Sequence, residues 1–118
     1  MRWVTLLVMM LASPLLAGCG DLASLVLQDL DGRWVSRVDG EKILLRVNDD
    51  RGYLSGTGEW GADNVYVSGD REESRVLLTI EFGRFNPIEF EGQLEGWDLK
   101  GRLYGSGYDG TWVVFRRE

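Results

Sequence analysis

The sequence predicts an all-β domain: a small up-and-down antiparallel barrel of about eight strands, preceded by a short N-terminal helix. Three observations lead there. Sixteen glycines and two prolines are spread over 118 residues, a composition suited to many short strands joined by tight turns. Alternating or apolar runs recur at intervals of about 8–12 residues with turn chemistry between them, the spacing of a sandwich or barrel. No connector reaches the dozen or so residues that a parallel crossover requires, so neighbours in sequence are expected to be neighbours in space. Eight strands in a meander can close and abolish both sheet edges; an open sandwich is the alternative.

The chain opens as an address. Met1-Arg2 is followed by an apolar run from Trp3 to Ala17 that Pro14 interrupts. The run is shorter than the ~20 residues of a spanning helix, so it reads as a signal peptide over residues 1–18. It ends in Leu16-Ala17-Gly18-Cys19, which resembles the lipobox of bacterial lipoproteins. That resemblance implies cleavage between Gly18 and Cys19, a diacylglycerol on the Cys19 sulfur and an acylated new amino terminus. Cys19 is the only cysteine in the chain. Several acyl chains at about 0.8 kcal/mol per buried CH₂ make a lasting membrane anchor. Position three of the mature chain is Asp21 and position two is Gly20, a pattern resembling outer-membrane rather than inner-membrane lipoproteins.

Residues 19–31 form the lipidated cysteine and tether. Leu22, Leu25, Val26 and Leu30 recur at helical spacing behind Asp21, a suitable N-cap. The expected helix over Gly20–Asp31 spans about 18 Å, which keeps the domain close to its membrane. It packs on the barrel or lies in the lipid interface.

The barrel domain is expected over residues 32–118. Strands are expected near Arg33–Val38, Lys42–Val47, Tyr53–Trp60, Val65–Ser68, Arg75–Phe82, Ile88–Leu94, Trp97–Tyr104 and Thr111–Arg117. Between them lie Asp39-Gly40, Asn48–Gly52, Gly61–Asn64, Gly69–Glu73, Gly83–Pro87 and Gly105–Gly110. The most informative stretch is Ile88–Tyr104. With Glu95-Gly96 as a two-residue turn, Leu94 faces Trp97, Gly92 faces Leu99, Phe90 faces Gly101 and Ile88 faces Leu103. On the other face Glu91 meets Lys100 and Glu89 meets Arg102, so charge pairing and burial agree. The inward positions elsewhere are Trp34, Ser36, Val38, Ile43, Leu45, Val47, Leu54, Gly56, Gly58, Trp60, Val65, Val67, Val76, Leu78, Ile80 and Phe82. Only Ser36 among them is polar, which favours a packed core over a specific pocket. Val35, Leu44 and Leu77 fall on the outward parity, and closure would gather the outer apolar residues of the last, first and second strands into one patch.

The two ends of the domain carry a second resemblance. Gly32-Arg33-Trp34 opens the first strand and Phe115-Arg116-Arg117 closes the last. This is similar to the calycins, the superfamily of lipocalins, fatty-acid-binding proteins and avidins. There a G-x-W tryptophan at the barrel base is crossed by an arginine from the final strand. The resemblance implies that Arg116 or Arg117 covers Trp34. The parity of the last strand leaves the choice open. Leu54–Gly58 (LSGTG) also looks avidin-like, but no counterpart of the polar ring that holds biotin is present.

Composition excludes several chemistries. The chain has no histidine, which removes Ser-His-Asp and Cys-His catalysis and every histidine metal site. Glu59, Glu81, Glu89, Glu91 and Glu95 lie mostly on the wet face, as solubilising and cross-strand groups, and no catalysis is expected. Asn48, Asp49 and Asp50 form an acidic turn without the ligand spacing of an EF-hand, and Asx residues there normally bond their own backbone. No metal or cofactor is expected. Of 13 basic residues the signal peptide takes Arg2, so the mature chain has 12 against 19 acidic residues, a net charge of −7. That balance argues against nucleic acid. The expected partners are the membrane, through Cys19, and either a small apolar or lipid-like ligand in the barrel mouth or a basic protein on the acidic exterior, as in lipoprotein inhibitors of lysozyme.

Overall fold

The computed structural model describes residues 29–118. The signal peptide, the lipobox, Cys19 and nearly all of the expected helix over 20–31 lie outside the described residues. Eight antiparallel strands follow: β1 (Gly32–Val38), β2 (Glu41–Asp50), β3 (Tyr53–Trp60), β4 (Asp63–Glu72), β5 (Arg75–Phe82), β6 (Ile88–Glu95), β7 (Asp98–Gly105) and β8 (Tyr108–Arg117). Each pairs with its neighbour in sequence, and β1 pairs with β8, so the sheet is a closed barrel. The open sandwich is thereby excluded.

Turn chemistry explains why the meander is so regular. Asp39-Gly40, Arg51-Gly52 and Ser106-Gly107 each have positive φ at both residues, the type I′ conformation whose twist matches that of the flanking strands. Only the β5–β6 connection, residues 83–87, is longer than two residues. Because strands alternate in direction, the barrel has two distinct ends. The base carries Asp29–Asp31, the β2–β3, β4–β5 and β6–β7 turns, and the C-terminus. The mouth carries the other four connections.

Side-chain alternation builds the interior. Trp34, Ile43, Leu45, Val76, Ile80, Phe90, Leu103 and Phe115 are completely or almost completely buried, and the apolar set forms one continuous core. Phe90 meets Phe115 edge to face at 5.7 Å. Each fully buried side chain of this size contributes about 1.5–3 kcal/mol.

The β6–β7 hairpin corrects the expected register. Its turn is Gly96-Trp97, flanked by Glu95↔Asp98, so Leu94 faces Leu99, Gly92 faces Gly101 and Phe90 faces Leu103. Gly96 has φ 64° while neither Glu95 nor Trp97 has positive φ, the pattern of a hairpin turn with glycine at its first central position; a type I′ turn on Glu95-Gly96 would need positive φ at Glu95 as well. The shift is two residues, so the buried face is preserved. The partners change: Glu91 meets Arg102, Lys100 meets Gln93 and Trp97 is left 70% exposed at the tip. A Cβ on Gly101 would overlap the Glu91 carbonyl and the Gly92 backbone rather than Phe90. Several strands also run further than expected. Asn48–Asp50 belong to β2, Gly69–Glu72 to β4, and Tyr108–Gly110 to β8.

The outward apolar residues fall in two places. Val35 and Leu44 face each other across β1–β2, and Leu44 is 9% exposed, but Leu77 stands apart on β5 at 38%. The outward aromatic of β8 is Trp112, with the Arg102 guanidinium 5.5 Å from its ring centroid.

Candidate functional site

The two ends of the barrel are built by opposite means. At the base, the inward parity of β8 is set by Val113 and Phe115, both buried, which places Arg117 on the face of Trp34. The Arg117 guanidinium carbon lies 4.4 Å from the Trp34 ring centroid and 5.7 Å from that of Trp97. Its two terminal nitrogens donate to the carbonyls of Asp31 and Asp29, both at 2.7 Å. Arg116 points outward, 3.8 Å from Asp98. Gly32 has φ 131°, a conformation that side-chain-bearing residues rarely adopt, and a Cβ there would only touch the Arg117 head group at 3.7 Å, so the backbone and not the space calls for glycine. Trp34 donates its indole N–H to the Leu30 carbonyl at 3.0 Å, and Leu30 is itself buried.

A second anchor lies beside it, in the stretch that reads as an acidic turn. The Asp49 carboxylate has no exposed surface. It accepts from Arg71 Nε at 2.6 Å, from the Leu30 N–H at 2.9 Å and from the Gly52 N–H at 2.9 Å. The Asp49 N–H in turn donates to the Asp31 carboxylate at 2.6 Å. Burial pushes the Asp49 carboxyl up. The Arg71 hydrogen bond, the two backbone donors and the Arg71 charge outweigh it, and the net shift is downward. The backbone bond to Gly52 is the Asx-turn contact expected of this stretch. The links to Arg71 and Leu30 were not foreseeable from spacing, since those residues lie 22 and 19 positions away.

The seam between β1 and β8 is sealed at the base and parted above it. The ladder holds Trp34↔Arg117 and Val35↔Arg116, extended by Glu118 N–H donating to the Arg33 carbonyl at 2.8 Å. One step further the Ser36 hydroxyl donates to the Val114 carbonyl at 2.7 Å. This explains the one polar residue expected on the inner face: its side chain replaces a ladder bond.

The mouth is different. Trp60 ends β3, Phe82 ends β5 and Tyr108 begins β8, so the meander delivers all three aromatics to the same end. Trp60 lies 5.5 Å from Phe82 and 6.0 Å from Tyr108, and Phe85 from the β5–β6 loop packs 6.0 Å from Phe82. Tyr108 owes its place to a bulge. The β7–β8 register slips between Leu103 and Tyr104, and Gly110 has φ 84°, the left-handed conformation of a glycine bulge. The extra residue turns Tyr108 to the inner face and leaves Asp109 exposed.

These aromatics line a cleft of about 300 Å³ together with Ile88, Ser106, Glu41 and Asp63. Trp60 and Ile88, each 3% exposed, form its floor, and Phe85, 52% exposed, is open to solvent. The rim is acidic. Tyr108 Oη donates to Asp39 at 3.3 Å, and burial first, then the charges of Asp39 and Glu41, push the phenol up. Asp63 is 3.5 Å from Arg84, whose guanidinium carbon is 5.4 Å from the Phe85 ring centroid.

A larger groove of about 450 Å³ runs along the outer wall between Tyr53 and Leu77. Its Arg51, Asp70, Arg71, Glu72 and Arg75 alternate in sign, and Arg71 is already paired with the covered Asp49, which leaves two cations against two carboxylates. Among the described residues no group of three or more carboxylate or thiol ligands is placed to hold a metal ion. Leu16, Ala17, Gly18 and Cys19 lie outside the described residues. The mouth cluster was missed by sequence reasoning, although strand direction alone places Trp60, Phe82 and Tyr108 at one end. Compared with protein-family models, curated proteins and solved structures, this chain matches none.

Proposed function

We propose that this protein is a non-enzymatic lipoprotein of the bacterial envelope, anchored through acylated Cys19 to the periplasmic face of the outer membrane, with a calycin-like barrel that recognises its target at the mouth. The observation that carries the reading is the contrast between a filled interior and an open aromatic cleft. Trp34, Phe90 and Phe115 are wholly buried in the core, whereas Phe85 and the acidic rim stay accessible at one end. A small apolar or lipid-like ligand would therefore seat an apolar group on Trp60, Phe82 and Phe85 instead of entering the barrel. The closed meander and the Arg117 guanidinium over Trp34 support the calycin reading.

Orientation follows from where the chain meets the barrel. Asp29–Asp31 are fastened to the base by Arg117, Asp49 and Trp34, and Cys19 precedes Asp29 by ten residues. An anchor at Cys19 holds the base toward the lipid and turns the mouth away from it. A second reading is favoured by the acidic rim: a basic protein partner docks on the mouth.

Metabolic labelling with an alkyne fatty acid tests the anchor. The wild-type chain takes up label and Cys19→Ser does not; continued labelling of the serine variant would refute the lipoprotein reading. Native mass spectrometry of the purified protein tests the mouth. A retained small molecule lost on Phe85→Ser supports the ligand reading, and retention unchanged by that variant contradicts a mouth site.

A further inference from the structure

The mouth cleft combines two features that a purely apolar ligand does not need. Trp60 on its floor and Phe82, Phe85 and Tyr108 around it are aromatic, and its rim carries Asp39, Glu41 and Asp63 with Arg84 as the opposing cation. Aromatic faces and carboxylates around one small space share a preference for a positive charge carried on an apolar stem. The protein already displays the pairing in itself. Arg84 spans Asp63 and the Phe85 ring, yet its side chain is 77% exposed and the ion pair is 3.5 Å long. An exposed pair of this kind is worth little, so an arriving cation can displace it.

We infer that the mouth cleft receives an arginine side chain of a basic partner protein, its stem on Trp60 and Phe85 and its guanidinium between Glu41 and Asp63. The inference rests on the mouth being the recognition face. A protein source fits better than a free amine for two reasons. The cleft is at the lower limit of small-molecule pockets, which run about 300–1,000 Å³, and is open beside Phe85. The mature chain also carries a net charge of −7, which steers a basic macromolecule by its whole field.

The test uses the full-length protein in non-ionic detergent, with the Trp60 indole N–H followed by NMR and assigned through Trp60→Phe. Three probes are titrated: a peptide of alternating glycine and arginine, the same peptide with neutral citrulline for arginine, and free arginine amide. The arginine peptide is expected to shift the Trp60 resonance and to bind about tenfold tighter than the citrulline peptide, an advantage that weakens from about 0.05 M to about 0.5 M salt. Glu41→Gln with Asp63→Asn, both at the surface, should abolish that advantage while leaving the thermal midpoint in place. Equal binding of the two peptides would overturn the charge inference and leave the mouth reading standing. Arginine amide binding as tightly as the peptide would overturn the protein source. No response of Trp60 to any probe, nor to the neutral dye N-phenyl-1-naphthylamine, would overturn both the inference and the mouth reading beneath it.

Discussion

The base and the mouth of this barrel use the same ingredients, carboxylates, arginines and tryptophans, to different ends. At the base Asp49 is fully covered and meets Arg71 at 2.6 Å, and Arg117 lies 4.4 Å from the Trp34 ring centroid with its fork on two carbonyls. At the mouth Asp63 meets an exposed Arg84 at 3.5 Å, and that arginine rests on a half-exposed phenylalanine. A carboxylate that is covered and fully hydrogen-bonded, as Asp49 is, holds a structure in one arrangement, and removing its partner is costly. Charges left at a wet aromatic rim contribute little to folding and stay available to another molecule. The difference locates stability at one end and recognition at the other.

Removing the base carboxylate breaks that division most severely. Asp49→Ala strands Arg71 and the Leu30 and Gly52 N–H groups, and is expected to cost about 3 kcal/mol, or about 15 °C in a domain of this size, read by thermal unfolding. The same residue sets a pH dependence. Its carboxyl is held below its ordinary value in the folded state, so as pH falls the unfolded chain binds this proton first. The contribution is complete above about pH 4, the unfolded value, and disappears as pH drops through the folded one. Asp49→Asn should flatten that acid limb; an unchanged limb would show that the anchor is not formed.

Arg117→Gln comes next. It removes the cation from the Trp34 face and both carbonyl contacts, for about 2 kcal/mol. Lysine should restore only part, because it lacks the planar fork that reaches two carbonyls at once. Ser36→Ala sharpens the picture of a seam that weakens upward. It deletes the hydroxyl bond to the Val114 carbonyl and should cost about 1 kcal/mol, measured in urea. Phe85→Ala at the mouth should change stability by no more than about 0.5 kcal/mol. A cost there as large as that of Arg117→Gln would place Phe85 in the load of the fold and undo the contrast between the ends.

Most of the fold was readable because its signals are local. Asp39-Gly40 and Ser106-Gly107 are glycine-ended pairs with type I′ chemistry, and inward apolar residues alternate through β2, β5 and β6 with few exceptions. The β6–β7 register slipped by two because Gly96 fits either central position on composition alone, and a two-residue shift leaves the face pattern intact. The site was less readable. Asp49 looks like a turn residue until Arg71 and Leu30 arrive from distant positions. Tyr108 looks like part of a connector until the Gly110 bulge reverses the parity of β8. The choice of Arg117 over Arg116 needed the same parity, which only the burial of Val113 and Phe115 supplies.

Native-state hydrogen exchange of the full-length protein tests the contrast most directly, since protection reports the free energy of local opening. The Leu30 and Asp49 N–H groups, bonded to the Asp49 and Asp31 carboxylates at the base, should exchange only through global unfolding. The Gly61 N–H in the mouth turn, bonded to the Lys42 carbonyl at 2.9 Å, should exchange through smaller openings and at least about tenfold faster. A Leu30 amide that exchanges as fast as Gly61, or faster, would contradict the sealed base and with it the division of labour between the two ends.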